Sequence, residues 1–205
     1  MPELASNNPL QPAKRQKIGR WKMLAVLTVC ASPIIASYFT YYVIKPSSRT
    51  NYGELIDPRQ YPIPKLTGAK LSGDPIELTA FQGKWVMLQV GPAACAKDCQ
   101  DKLFQMRQLR LTQGKERERV ERVWLITDNQ ALDTVLMREY DGTHMLRVNP
   151  QQLKQWLPTE ANTQAQDHLY MIDPLGNLMM RFPANADPNK MKKDLSRLLK
   201  ASKIG

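Results

Sequence analysis

The chain has 205 residues, 42% of them hydrophobic, which suits one ordinary domain with an attached segment. Its net charge of +10 is uneven, because seven of its 29 basic residues and one of its 19 acidic residues precede residue 50. The remainder is only mildly basic and has no motif that interleaves aromatic with basic residues, so nucleic acid is not an expected partner. Three cysteines are too few for a disulfide framework.

Residues 1–22 form a basic tail, and residues 1–20 are polar and expected to be disordered. Residues 23–44 carry no charge. At about 1.5 Å per residue, a helix of that length crosses the roughly 30 Å hydrocarbon layer, so we predict one transmembrane helix. The basic excess before this span predicts a cytoplasmic N-terminus and a domain on the periplasmic side of a bacterial inner membrane. The alternative is a cleaved signal peptide, whose apolar core is usually shorter.

Residues 45–65 are rich in proline and lack apolar periodicity, which predicts a stalk between the membrane and the folded domain. The domain is expected to span residues 66–205. Its first part, Leu66 to Leu78, has short apolar pieces separated by Gly and Asp-Pro, which is typical of an N-terminal β-hairpin.

The stretch from Trp85 to Val90 is an apolar run that predicts a buried strand, and Gly91-Pro92 ends it. Cys95 and Cys99 follow directly, at the start of a helical pattern that runs to about Thr112. A helix N-terminus lowers the pKa of a nearby thiol, so both sulfurs are expected to be partly thiolate. Two such thiolates can close a disulfide, bind a soft metal, or do each in turn.

The rest of the chain alternates strands and helices. The predicted elements are a strand at Val123–Thr127, a helix at Asp128–Tyr140, a strand at Met145–Val148, a short helix at Gln151–Leu157, strands at Leu169–Ile172 and Asn177–Phe182, and a final amphipathic helix with Met191, Leu195, Leu198 and Leu199 on its apolar face. This order predicts an α/β fold, a thioredoxin-like sandwich with a mostly parallel sheet. In such sheets chemistry gathers beyond the carboxyl ends of the strands, where Cys95 is expected.

Three stretches together resemble the Sco family of membrane-anchored, thioredoxin-like proteins. They are F-Q-G-K-W-V at Phe81–Val86, the C-x-x-x-C pair, and the D-H followed by Y-M-I-D-P-L-G-N that ends at Asn177. Sco proteins help to supply copper to cytochrome c oxidase and hold the ion with both cysteines and one histidine. The resemblance therefore implies copper bound by Cys95, Cys99 and His168, and a cytochrome c oxidase subunit as partner. Ala96 stands where the family usually has proline.

The leading hypothesis is a copper-binding assembly factor, with Cu(I) favoured because thiolates and imidazole are soft ligands. His144 is the alternative third ligand. A periplasmic thiol-disulfide oxidoreductase is the second hypothesis, with a more exposed Cys95 as the attacking thiolate and Cys99 as the resolving residue. A third is a scaffold that kept the fold and lost the chemistry.

Overall fold

The structure is a computed structural model that describes residues 12–44, 51–202 and 204. The chain divides into two compact units, Met1–Arg49 and Thr50–Gly205.

The described part of the first unit, residues 12–44, is one long helix. Helix α1 covers Pro12–Phe39 and continues as a π-helical segment at Thr40–Ile44. Its stretch Gly19–Val43 has a mean hydropathy of 1.8, and it is the one helix of the described residues that is long and apolar enough to cross a membrane. Residues 12–20, which were predicted to be disordered, are helical, because Lys, Arg and Gln propagate a helix that the apolar segment nucleates. Residues 1–11 lie outside the described part.

The second unit is built on one eight-stranded sheet. Its strands are β1 (Glu54–Leu55), β2 (Thr67–Lys70), β3 (Pro75–Glu77), β4 (Trp85–Gly91), β5 (Val120–Ile126), β6 (His144–Arg147), β7 (Tyr170–Ile172) and β8 (Leu178–Arg181). Their order across the sheet is β1-β8-β7-β4-β5-β6-β2-β3. The predicted N-terminal hairpin is confirmed, since β2 and β3 pair antiparallel.

The sheet is mixed rather than mostly parallel. Strands β4, β5 and β6 are parallel, as helical crossovers require. All other neighbouring pairs are antiparallel, because hairpins or long returns rather than crossovers connect the strands at both edges. The parallel expectation therefore holds for the three central strands alone.

Helices cover both faces of the sheet. They are α2 (Lys97–Leu111), α3 (Thr134–Glu139), α4 (Pro150–Trp156) and α5 (Pro188–Ala201). One core cluster joins the sheet to α2 and α5, with Leu103, Met106 and Leu195 almost fully buried. The other lies on the opposite face and includes Leu88 and Trp156. This is the predicted thioredoxin-like sandwich.

The folded unit begins earlier than the sequence predicts. The stretch 51–65 was expected to be a stalk, but β1 pairs with β8, and the amide of Ile63 donates to the carbonyl of Gly176 at 2.9 Å. The buried carboxyl group of Asp194 accepts hydrogen bonds from the amides of Tyr52 and Gly53, each at 2.8 Å. Backbone hydrogen bonds therefore hold this segment in place. Because they do not require a periodic pattern of apolar side chains, nothing in the sequence indicated them. Residues 45–50 lie outside the described residues.

The helix predicted at Asp128–Tyr140 is shorter than expected. It begins at Thr134, with Asp133 as N-cap accepting from the amide of Val135 at 2.8 Å. The residues before it form a loop, because the side chain of Arg147 binds the carbonyl oxygens of Asp128 and Gln130 at 2.7 Å each. These contacts hold the segment in its loop conformation.

Candidate thiol site at the start of helix α2

Strand β4 carries the candidate site to the edge of the sheet. All seven of its residues are buried, and it ends at Gly91, where Pro92 turns the chain. The amide of Cys95 donates to the carbonyl of Pro92 at 3.2 Å, and α2 begins two residues later at Lys97. Cys95 therefore lies in the strand-to-helix turn, while Cys99 lies in the first turn of α2.

The two cysteines are joined in a disulfide, with their Cα atoms 5.2 Å apart. Cys95 is 4% exposed and belongs to the main core cluster, whereas Cys99 is partly exposed. The expectation that Cys95 is the more exposed sulfur is wrong, because the turn after Pro92 folds Cys95 inward beneath α2.

Side chains from two other segments hold the cysteine-bearing turn. The carboxylate of Asp128 accepts from the amide of Ala93 at 3.2 Å, and the amide side chain of Gln100 donates to the carbonyl of Cys95 at 3.0 Å. Below the turn, the side chain of Gln89 donates to the carbonyl of Cys99 at 3.5 Å. The sulfurs are therefore attached to a well-supported backbone.

Oppositely charged side chains contact each other beside the cysteine pair. Lys97 contacts Asp101 at 2.6 Å, and this hydrogen bond, with the charge of Asp101, raises the pKa of the exposed Lys97 amine. Ala96 is the N-cap of α2 and offers no side-chain oxygen to cap its first amides. The positive end of the helix dipole therefore remains uncompensated near the sulfurs. This field favours a thiolate whenever the disulfide is reduced.

His168 is fully buried, and both of its ring nitrogens have partners. Nδ1 lies 2.8 Å from the carbonyl oxygen of Phe182, and Nε2 lies 2.7 Å from the hydroxyl of Thr163. Because a carbonyl oxygen only accepts, Nδ1 is the donor in the first bond. Nε2 is therefore the ring nitrogen through which this histidine could bind a metal.

The other predicted ligand lies elsewhere. His144 is exposed at the start of β6, where Nε2 contacts the carboxylate of Glu121 at 3.2 Å. Among residues 12–44, 51–202 and 204, no group of three or more His, Cys, Asp or Glu side chains is arranged to hold a metal ion. The structure thus brings the two cysteines together without adding either histidine to them.

Sequence reasoning missed several residues that shape the site. Gln89 and Trp124 lie directly under the cysteine-bearing turn, and Thr163 binds His168. A glutamine inside the apolar run Trp85–Val90 was the available signal, because buried strands rarely carry an uncharged polar residue without a partner. The contact of Thr163 has no such signal, since it depends on the path of the loop before β7.

Together, the fold and the paired cysteines define a thioredoxin-fold protein with a C-x-x-x-C site. The family model of a transmembrane-like, thioredoxin-like, C-terminal domain matches residues 85–202, which is more than half of the chain. The chain therefore belongs to this family. No curated protein sequence matches it.

Three solved structures illustrate the likeness of the fold. The thioredoxin domain of a thiol-disulfide oxidoreductase from Bacteroides vulgatus has a TM-score of 0.52 at 15% identity, covering 68% of this chain and 96% of that one. Copper-bound ScoI from Arabidopsis thaliana has a TM-score of 0.51 at 15% identity, covering 74% and 99%. BsSco, a Sco-family cytochrome c oxidase assembly protein with a disulfide switch, has a TM-score of 0.52 at 14% identity, covering 71% and 98%. At these identities the likeness confirms the predicted fold.

Proposed function

We propose that this protein is a membrane-anchored assembly factor that carries copper for cytochrome c oxidase on its reduced Cys95–Cys99 pair. The observation that carries the proposal is the pair itself, two sulfurs within bonding distance at the start of α2, with the Cys99 residue partly exposed. Thiolates select Cu(I), which accepts low and irregular coordination and can pass to a recipient by ligand exchange.

Copper binding requires the disulfide to be reduced first. An external dithiol supplies two electrons and two protons, so that its own thiols become a disulfide while Cys95 and Cys99 become thiols. Cu(I) then replaces the thiol protons, which makes binding dependent on pH and on the redox state of the compartment. The helix dipole at α2 assists this step by favouring thiolate.

Two lines of support connect the pair to copper. The chain resembles the Sco family in the three stretches given above, and its fold is similar to that of copper-bound ScoI. The fold is also similar to that of BsSco, a member of a family of cytochrome c oxidase assembly proteins. We infer the same cargo and the same kind of recipient for this chain.

His168 is proposed as the third ligand through Nε2. In the disulfide form that nitrogen contacts Thr163, so copper has to displace the hydroxyl before the imidazole can join the two sulfurs. A two-sulfur complex therefore precedes the three-ligand complex. His144 is the alternative, and its contact with Glu121 would have to open in the same way.

We further infer that α1 is retained as a single inner-membrane span. The basic residues in the first turns of α1, ahead of its apolar part, favour a cytoplasmic N-terminus, and in that orientation the thiol pair faces the periplasm. An oxidising compartment favours the disulfide, so the protein would need a dedicated reductant to accept copper there.

The direct test is an anaerobic Cu(I) titration of the full-length protein in detergent, after reduction and in competition with a chromogenic chelator. We expect one Cu(I) per chain in the reduced protein and none in the oxidised protein. If the reduced protein leaves all copper with the chelator, the proposed cargo is wrong.

A second candidate, a thiol-disulfide oxidoreductase, is favoured by one specific observation. The pair forms a closed disulfide with a partly exposed Cys99, while His168 is occupied by Thr163 and Phe182. Such a site could exchange electrons with substrate thiols without metal, with Cys99 as the sulfur attacked first. Catalytic oxidation of a small dithiol, or catalytic reduction of a small disulfide, would favour this candidate if the protein binds no copper under the same conditions.

A further inference from the structure

Two fully buried polar side chains lie beneath the cysteine pair. Gln89 on β4 and Trp124 on β5 are directly opposite each other in the parallel register, and both are 0% exposed. Trp124 packs in the cluster that contains Leu103 and Met106 of α2, and Gln89 reaches the carbonyl of Cys99. Both side chains therefore point toward α2 and its first turn.

Each side chain has one buried polar atom without a partner among the described residues. These atoms are Oε1 of Gln89 and Nε1 of Trp124, an acceptor and a donor. The orientation of the amide is fixed, because its nitrogen faces the carbonyl of Cys99, which only accepts. A buried polar atom that lacks a hydrogen bond costs free energy, so such a pair calls for an explanation.

Gly91 lies next to both the indole of Trp124 and the sulfur of Cys99. A Cβ atom built at Gly91 would have as its nearest neighbours Nε1 of Trp124, at 3.8 Å, and Sγ of Cys99, at 3.9 Å. No side chain of Gly91 separates these two groups. The disulfide holds the Cys99 side chain, and reduction frees it to rotate toward the indole.

We propose that Gln89 and Trp124 form a hydrogen-bonding site for the reduced sulfur of Cys99 and so stabilise the dithiol over the disulfide. In either protonation state the reduced sulfur of Cys99 accepts from Nε1 of Trp124, and in the protonated state its S–H also donates to Oε1 of Gln89, which satisfies both buried atoms. A disulfide sulfur has no proton to donate and is held by its partner, so the oxidised protein leaves both atoms unpaired. This inference rests on the proposed function, in which the reduced pair accepts copper.

The two residues are positioning residues that act through the redox balance of the pair. The reaction is the exchange described above, in which an external dithiol is oxidised and Cys95 and Cys99 are reduced with two electrons and two protons. Loss of the indole donor should weaken the reduced form alone. We expect Trp124→Phe to lower the equilibrium constant for reduction about tenfold, which corresponds to a potential about 30 mV more negative.

The test equilibrates the full-length protein in detergent with dithiol redox buffers and measures the reduced fraction by thiol alkylation. Trp124→Phe and Gln89→Leu should both shift the midpoint to more negative potential. Trp85→Phe is the matched control, because Trp85 is also buried, on β4, and its Nε1 also lacks a partner in the described structure. Its midpoint should match that of the wild-type protein.

A second measurement needs no substitution at the site. In the wild-type protein labelled with ¹⁵N, the indole N–H signal of Trp124 should move downfield on reduction, whereas the signals of Trp85 and Trp156 should stay in place. An unchanged Trp124 signal, or unchanged midpoints in both variants, overturns the inference whether or not the variants are fully stable. Neither result depends on copper, so the chelator titration decides the proposed function separately.

Discussion

The clearest test of whether His168 binds copper is a substitution of Thr163, whose hydroxyl contacts the imidazole. Nδ1 donates to the carbonyl of Phe182, so Nε2 is the ring nitrogen that could bind metal, and in the metal-free protein it contacts the hydroxyl of Thr163 at 2.7 Å. Thr163→Val keeps the shape of the side chain and removes that hydroxyl. If His168 is a ligand, copper no longer has to displace a hydrogen bond before it binds.

The size of this effect follows from the value of one buried hydrogen bond. Such a bond contributes about 1 kcal/mol net, so its removal should raise Cu(I) affinity roughly fivefold. The same change should lower the stability of the metal-free protein, because the hydroxyl also lies 2.9 Å from the carbonyl of Glu160, and its single proton serves either that oxygen or Nε2 of His168. The expected signature of Thr163→Val is therefore tighter copper binding in a less stable protein.

The assay is the competitive Cu(I) titration of the full-length protein, run beside thermal unfolding. Thr112→Val is the matched control, because the hydroxyl of Thr112 likewise donates to a backbone carbonyl, that of Leu109, at 2.8 Å. Its Cu(I) affinity should equal that of the wild-type protein. If Thr163→Val also binds copper as the wild type does, and His168→Ala keeps full affinity, then copper does not use His168.

Three further outcomes are expected. Cys99→Ser should abolish tight Cu(I) binding because a hydroxyl is a poor ligand for a soft ion, whereas Cys30→Ser should retain it, and retention by both would exclude the thiol site. Asp194→Ala should lower the free energy of unfolding, measured by chemical denaturation, by about 2–4 kcal/mol, because it leaves two amides unpaired. Asp57→Ala, at an exposed position, is the control and should lower it by less than about 0.5 kcal/mol. Alkaline phosphatase fused after residue 205 should be active, and an inactive but stable fusion would reverse the predicted topology.

The order of strands and helices could be predicted because each buried strand is a short apolar run with a clear end. Trp85–Val90 is the best example, and the structure extends it by one residue, to Gly91. The edge strand β1 could not be predicted in this way. It is two residues long, and the contact that fixes its approach joins Tyr52 to Asp194, 142 residues away in the sequence.

The candidate site, like the fold, has one part that could be predicted from the sequence and one part that could not. The closeness of Cys95 and Cys99 follows from a spacing of four residues, a local property that the sequence states directly. The surroundings of His168 depend on contacts with Phe182 and Thr163, which only the folded chain brings together. Relative exposure of the two sulfurs also depends on packing, and it was predicted in the wrong sense.

Gly53 lies where the N-terminal segment packs against β8 and Asp194. A Cβ atom at Gly53 would lie 2.5 Å from Sδ and 2.6 Å from Cγ of the buried Met180, so an alanine there would force that side chain to move. The same close approach aligns the amide of Gly53 with the buried carboxyl group of Asp194. We therefore expect Gly53→Ala to loosen the N-terminal segment as Asp194→Ala does, through a clash rather than a lost hydrogen bond.

The redox inference and the proposed copper function are joined by mass action. Under the proposed function copper binds only the dithiol, so the apparent affinity for Cu(I) scales with the reduced fraction of the protein. In a buffer poised at the wild-type midpoint half of the wild-type protein is reduced, whereas a tenfold smaller reduction constant leaves roughly one chain in eleven of Trp124→Phe reduced. The apparent Kd of the variant should then be about fivefold higher. In excess reductant both proteins are dithiols and the difference should vanish; if it persists, Trp124 acts on the copper-bound sulfur itself and not through the redox balance.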